Sequence, residues 1–530
     1  MTDTQTPGPT GQATERDLNL EESQHIHDTE TPDKVESEAS SQGPQDPNDP
    51  QNWPRWHKMT TYLTICLFSF MANVNASNFT VATMALRKYF HIDVTHAVYL
   101  TALNVLMFGM GNLFWIPLMR VTGKRPVYLL AILVLIFSNV WSARAKSYAS
   151  LLASRIISGI GAAAADATVP SAVADLFDIR RRGTKMMYFH TALASGIFLG
   201  PLINAYVVQE HGWRWSPAWI AIASSFVFVL AVLLIHETQY DHLRTPDERQ
   251  WEPQRSFWSY LSLHKGFARH QPLQKAWQAL KDIFVMASFP PIIFASSLVG
   301  IFVGWTIIIQ VSIAQTFLSP PYSWSLAKVG LLHLAGLVGA LSSLYFGGIM
   351  IDSLVKIWDP KGRVRTTHPW RRLTALILPF TIAPTGLLIY GICLAEDKHW
   401  IAPAAGYAMH SFGFVAVSNI VVTYAVDCYK PVAGEAMVFL FIARNVIAVL
   451  CSIYCFPWIQ RDGLKAVFGI MAGLEWGLML FALPIYLFAK RILDFTTRYG
   501  PMKRYKEDEE RRKMDVLGVR EGRGLVGVVE

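Results

Sequence analysis

The sequence predicts an all-α membrane protein whose twelve transmembrane helices form two six-helix halves. Three observations carry that reading. Apolar residues make up 52% of the 530-residue chain and charged residues only 16%, against about 25% charged in an average soluble protein. The apolar residues are gathered into runs of about 20, the length needed to cross roughly 30 Å of hydrocarbon. A polar stretch at 237–283 divides these runs into two sets of six, as an internal duplication would.

Residues 1–58 read as an acidic tail. The first 50 hold twelve acidic side chains against Arg16 and Lys34. Such a segment cannot bury a core and is expected to be disordered. Asp49-Pro-Gln-Asn-Trp-Pro54 follows, then Trp56 and Lys58, which suit an interfacial anchor. No cleavable signal peptide is seen, so the first span is expected to serve as the insertion signal. The first half, 59–236, is read as spans at 59–82, 96–118, 125–143, 148–175, 184–208 and 214–236. The linker, 237–283, is expected to be cytoplasmic. Trp251, Phe257, Trp258, Tyr260, Leu261 and Trp277 suggest amphipathic stretches on the membrane surface. The second half, 284–489, is read as spans at 284–317, 326–351, 371–395, 400–427, 433–458 and 464–489, with Pro290 and Pro291 interrupting the first of these. A charged tail, 490–530, is expected to be cytoplasmic and largely exposed.

Orientation comes from Lys and Arg. With the N-terminus inside, the interior loops carry 21 of them and the exterior loops nine, so both termini are expected in the cytoplasm. That bias also accounts for the net charge of +8 without a nucleic-acid partner. The five cysteines fall within or at the ends of apolar runs, and no disulfide framework is visible. There is no Gly-Lys-Ser/Thr phosphate loop, no clustered metal ligands and no nucleophile elbow. The chain is therefore read as neither an enzyme nor a cofactor or metal protein. Its expected partners are a small-molecule substrate, protons and the lipid bilayer, and it is expected to be a monomer.

Charges at membrane depth are the candidate functional residues, because such groups are costly and face a bundle interior or a water-filled pathway. The fourth segment, SYASLLASRIISGIGAAAADATVPSAVADLFDIRRRG, carries Arg155 and Asp166, eleven residues and about three turns apart on nearly one side. Gly159, Ala162, Ala163 and Pro170 give that side small residues. Asp166, near the midplane, is suited to bind a cation, carry a proton or sit in a structural ion pair. Arg444 and Asn445 lie at similar depth in the eleventh segment, with Glu435 at its inner end. An Arg444 pair with Asp166 across the halves and a pair within its own half are both open. Glu475 lies in the twelfth segment as a candidate for substrate or proton, or as a packed neutral acid. Asn73, Asn75 and Asn78 make the first segment polar. His190, His333 and His410 are candidates to shuttle protons, or hydrogen-bonded core residues. Gly196-Ile-Phe-Leu-Gly200-Pro201 combines close-packing glycines with a kink, for gating or for ordinary packing. Trp115, Trp305 and Tyr407 are candidate cavity aromatics, or ordinary packed side chains.

Residues 50–492 resemble the major facilitator superfamily, in the fungal twelve-helix branch that includes drug:proton antiporters. Asp49–Pro54 resembles the branch's opening signature. Gly111-Asn-Leu-Phe-Trp-Ile-Pro-Leu118 with Gly123-Lys-Arg-Pro126 resembles its loop between helices two and three. Arg155-Ile-Ile-Ser-Gly159-Ile-Gly161 resembles the fourth-helix motif, and Asp175-Leu-Phe177 with Arg182-Gly183 its cytoplasmic end. Gly196–Pro201 resembles the fifth-helix antiporter motif, and His236-Glu-Thr238 the end of helix six. Thr423–Asp427, Gly434-Glu-Ala436 and Arg444-Asn445 resemble helices ten and eleven. The resemblance implies the major facilitator fold with rocking alternating access. It also implies cytoplasmic gating networks built from Arg120, Arg125, Asp175, Arg182, Asp352 and Asp427. The chain departs from the pattern at Arg120, where Asp is usual, at Asn204-Ala205, where glycines are usual, and at Asn419, where an acid is expected.

Together these features predict proton-coupled efflux of a small organic compound, such as a secondary metabolite, toxin or drug, across the cell membrane. A vacuolar or other internal membrane is the alternative location. Asp166 would take the cation or proton, with Arg155 and Arg444 as its partners. Proton-coupled uptake of a small solute or polyamine-like cation is the second reading. A membrane receptor or scaffold without transport is the third.

Overall fold

The computed structural model describes residues 49–177, 179–238, 272–345, 369–429, 432–504 and 506–507. Within these, the side chains at 120, 121, 167, 168, 170, 171, 174, 179–184, 272–276, 279 and 456 lie outside the description. So do the linker residues 239–271, Asp352, and most of both tails.

The described residues 49–53 belong to a unit of their own. In it, Pro50–Asn52 makes one 3-10 turn, with Asp49 Oδ1 accepting the Gln51 N–H at 2.8 Å. From Pro54 onward the described residues form a single unit whose regular elements are all helices. Its first part comprises α1 (Arg55–Ala76), α2 (Thr83–Phe90), α3 (Val94–Met110), α4 (Asn112–Thr122), α5 (Lys124–Arg144), α6 (Tyr148–Leu176), α7 (Ile179–His211) and α8 (Trp215–Leu234). Its second part comprises α9 (Pro272–Val285), α10 (Pro290–Leu318), α11 (Leu326–Leu331), α12 (His333–Leu344), α13 (Ile377–Ala395), α14 (Ile401–Cys428), α15 (Ala433–Leu480), α16 (Ala482–Leu487) and α17 (Ala489–Thr496).

Eleven stretches among the described residues are long and apolar enough to cross a membrane, from Val94–Met119 to Pro457–Leu487. The twelfth is α1. At 22 residues it is about 33 Å long, but its polar residues keep it off the apolar count. Those residues face inward. Ser69 Oγ donates to the Ala165 carbonyl at 3.1 Å, and Asn75 Oδ1 accepts from Arg155 at 2.9 Å. The sequence reads a polar helix; the structure shows where its hydrogen bonds go.

Several boundaries move for identifiable reasons. Pro290 and Pro291 start α10 rather than interrupting a span; proline suits the first turn, where its missing N–H is not needed. The second span is two helices meeting at Gly111. The eleventh and twelfth spans run as one helical stretch, α15, broken at Gly463, whose φ of 78° is open to glycine and strained for other residues. The described part of the C-terminal segment packs against the unit: Tyr429 Oη donates to Thr496 Oγ1 at 3.3 Å, and Arg504 pairs with Asp282 of α9.

Helices α5, α3 and α1 surround α6, and α10, α13 and α14 pack on α15. The two sets meet where α3 lies along α15 and α7 along α12 and α11. An apolar cluster of Ala76, Val98, Ala102 and Val105 with Ile307, Val311, Ala448 and Val449 seals the first of these seams. The seams hold the candidate site.

Candidate functional site

α6 starts at Ser147, whose hydroxyl accepts the Ser150 N–H at 3.3 Å. Its Ala162–Ala165 run is fully buried. Small residues let the neighbours come close: a Cβ on Gly159 would stand 2.4 Å from the Asn104 carbonyl oxygen of α3. This tight seating fixes Asp166 about 15 Å from the Leu176 end. Arg444 lies about 17 Å into α15. The two are 1% and 6% exposed, and Arg444 Nη2 donates to Asp166 Oδ2 from 278 positions further along the chain. The guanidinium also lies 4.4 Å over the Phe441 ring. Asp166 Oδ1 and Arg444 Nε make no hydrogen bond among the described residues. The pair is thus the inter-half alternative of the two that the sequence leaves open, and it is only half satisfied. A spare acceptor and a spare donor in a buried site invite a third group, a proton or a polar ligand atom.

Beside the pair lies a cavity between the two sets of helices. α1, α3 and α7 line it from one side, and α10, α14 and α15 from the other. Arg444, Asn445, Asn73 and Gln310 supply polar groups; Phe108, Ile197, Val303 and Phe414 supply apolar surface. None of the described side chains of α6 lines it. Asp166 of α6 meets the cavity lining at Arg444. The candidate aromatics take the packing alternative. Trp115 Nε1 donates to the Ile160 carbonyl at 2.6 Å, Trp305 belongs to the core, and Tyr407 packs against His333 and Phe198.

Arg155 does not share Asp166. Its Nη1 and Nη2 donate to Asn75 Oδ1 at 2.9 Å and to the Asn75 carbonyl at 2.7 Å, and its Nε donates to the Leu100 carbonyl at 3.3 Å. Phe79 lies 5.0 Å beneath it. Neutral oxygens and a ring therefore solvate this buried cation. Asn419 is half-buried in α14, away from the cavity lining. Glu475 also lies off the cavity, fully buried, with Oε1 3.4 Å from His410 Nδ1; His190 is buried.

The end at which α1 begins carries paired charges. Lys124 at the start of α5 pairs with Asp175 near the end of α6, and Arg372 pairs with Asp427 at 2.7 Å near the end of α14. The two pairs occupy matching places in the two sets of helices. Arg125 instead donates to the Val232 carbonyl of α8 at 3.0 Å. Glu237 accepts the backbone N–H groups of Lys124 and Arg125 at 3.0 and 3.1 Å, satisfying donors that a helix start leaves open. Gly123, with φ of 94°, admits that carboxylate; a Cβ there would stand 2.5 Å from Glu237 Oε2. Glu435 lies buried in the first turn of α15, where the helix dipole favours a negative charge. The side chains of Arg120 and Arg182, and all of Asp352, lie outside the described residues. Lys124, Arg372 and Glu237 complete contacts that the sequence reading did not assign. Lys124 and Glu237 fall inside the motifs Gly123–Pro126 and His236–Thr238, and the signal for Arg372 is its position beside a span end.

Gly196 and Gly200 face α1. Cβ atoms there would stand 2.5 Å from the Phe70 carbonyl oxygen and 2.5 Å from Ser77 Oγ. Pro201 continues within α7.

The sequence profile described as the Major Facilitator Superfamily matches residues 63–452. The chain is 25% identical to the citrinin biosynthesis cluster MFS transporter mrr1 of Monascus ruber, over 87% of this chain and 91% of that protein. It is 23% identical to the multidrug transporter TPO1_2 of Candida glabrata, over 83% and 73%. Its fold is similar to that of the proton:xylose symporter XylE, with a TM-score of 0.58 at 14% identity, covering 83% of this chain and 97% of that one.

Proposed function

The chain belongs to the major facilitator superfamily, and from that membership we propose that it is a secondary active transporter that exports a small amphipathic organic compound in exchange for protons. It works as a monomer in the cell membrane, with both termini cytoplasmic. The observation that carries this reading is the Asp166–Arg444 pair, which joins the two halves beside the cavity. A proton on Asp166 weakens its hold on Arg444; loss of the proton restores it. Removing one partner of a buried pair typically costs about 3–5 kcal/mol, enough to shift a two-state equilibrium by more than a hundredfold. The proton therefore acts as a ligand that favours one arrangement of the halves. The cavity takes polar groups from Arg444, Asn445, Asn73 and Gln310 and apolar surface from Phe108 and Phe414. Its mixed lining suits a compound with an apolar body and one polar end. The metabolite-cluster and multidrug relatives support export.

Flux of fluorescent amphipathic probes in vesicles, with and without an imposed pH gradient, tests the reading. Extrusion that collapses with the gradient is the expected result. Gradient-driven accumulation in the opposite direction would establish uptake instead.

A further inference from the structure

A second buried acid–base pair stands apart from the Asp166–Arg444 site. Glu475 and His410 are both fully buried, with His410 Nδ1 3.4 Å from Glu475 Oε1. The approach lacks hydrogen-bond geometry, and neither Glu475 oxygen has a hydrogen-bond partner among the described residues. Glu475 lies about 18 Å beyond the Gly463 break and His410 about 14 Å into α14, so both are deep in the span.

The surrounding helices bring no free charge. α10 contains no titratable residue, and its Phe302 stacks on the imidazole at 5.4 Å. α13 offers Tyr390, whose hydroxyl is 2.7 Å from Ser312 Oγ. α14 carries Tyr407, which accepts from Gln310, and Asp427, which is paired with Arg372. On α15 itself, Arg444 is committed to Asp166. An ionised carboxylate with no cation and no donor is costly in such a place.

The other side of the imidazole leads outward. His410 Nε2 is 3.3 Å from Thr306 Oγ1, and Thr306 lines the cavity. The Thr306 hydroxyl donates to the Phe302 carbonyl at 2.8 Å, which leaves Oγ1 to accept an Nε2–H. That tautomer turns the Nδ1 lone pair toward Glu475, so one proton belongs between Nδ1 and Oε1.

We propose that Glu475 and His410 form a second proton-binding site, loaded and unloaded through Thr306 from the central cavity. On unloading, Glu475 gives its proton to Nδ1. The imidazolium then releases Nε2–H to Thr306 Oγ1 as the hydroxyl turns and passes its own proton to water in the cavity. A carboxylate beside a neutral, Nδ1-protonated imidazole remains, and loading reverses each step. The pair titrates as a unit. Its use in transport rests on the exporter reading above; its existence does not.

Infrared titration of the purified full-length chain in lipid nanodiscs, in H2O and D2O, tests the site without flux. A deuterium-sensitive protonated-carboxyl band that titrates with pH is expected. Glu475→Gln removes it, Asp166→Asn leaves it, and His410→Asn moves its midpoint by about tenfold in proton concentration or more. A band unchanged in Glu475→Gln, or one that belongs to Glu475 but never titrates, overturns the proposal. If Glu475→Gln does not fold, Glu475→Asp and His410→Asn supply the same comparison through a shifted midpoint. Absence of flux in the wild type would remove the exporter reading while the band still decides the site.

Discussion

Asp166 and Arg444 each occupy a depth at which an isolated charge would be expensive, and each makes the other tolerable. Charge and depth were legible in the sequence, because a helix advances about 1.5 Å per residue. The partnership was not, because helix rotation and the meeting of α6 with α15 are tertiary facts. Arg155 shows the limit more sharply. Its periodicity with Asp166 is as expected, yet Asn75 and two backbone carbonyls take its donors. Side-chain amides on another helix leave no signature in local spacing. The pair predicts a non-additive double-mutant cycle. Arg444→Gln alone leaves a buried carboxylate and should lower stability by about 3–5 kcal/mol, read from thermal unfolding in detergent. Adding Asp166→Asn should recover most of that loss without recovering transport. Additive losses would show that the two side chains do not act together.

At the scale of the element, the close seating of α7 on α1 depends on hydrogen atoms at 196 and 200. Gly196→Val should separate the helices, lowering the yield of folded protein and the rate of transport. Disulfide cross-linking between cysteines placed on α1 and α7 measures the separation; unchanged cross-linking would place the glycines outside this contact. The start of α5 makes a second case. Glu237 satisfies two backbone donors there, so Glu237→Ala should cost about 0.5–2 kcal/mol in a thermal melt. Gly123→Ala should cost more, through both its φ and its clash with Glu237. The helix-six ending His236-Glu-Thr238 was readable as a motif, but a carboxylate crossing to another helix was not.

For the whole molecule, the twelve-helix superfamily fold was legible from the grouping of apolar runs, and the superfamily match over 63–452 agrees with it. The cavity lining was legible only in part. Asn73, Arg444 and Asn445 face it, whereas Glu475 and Asn419 do not, because a charge in a span marks the bundle interior without saying which part. The matched pairs Lys124–Asp175 and Arg372–Asp427 stand at one end of the bundle. Neutralising both, with Asp175→Asn and Asp427→Asn, should raise labelling by an impermeant thiol reagent at cysteines placed deep in the cavity from that end. Equal labelling would mean that the pairs do not restrain opening.

The central claim is that Asp166 exchanges Arg444 for a proton and thereby moves one half against the other. It is tested most directly by spin-label distances between α7 and α12, measured on the purified protein across a pH series and needing no substrate. The wild type is expected to show two populations whose ratio changes with pH, and Asp166→Asn a single ratio that does not. Identical pH-dependent distributions in the two proteins would contradict the claim.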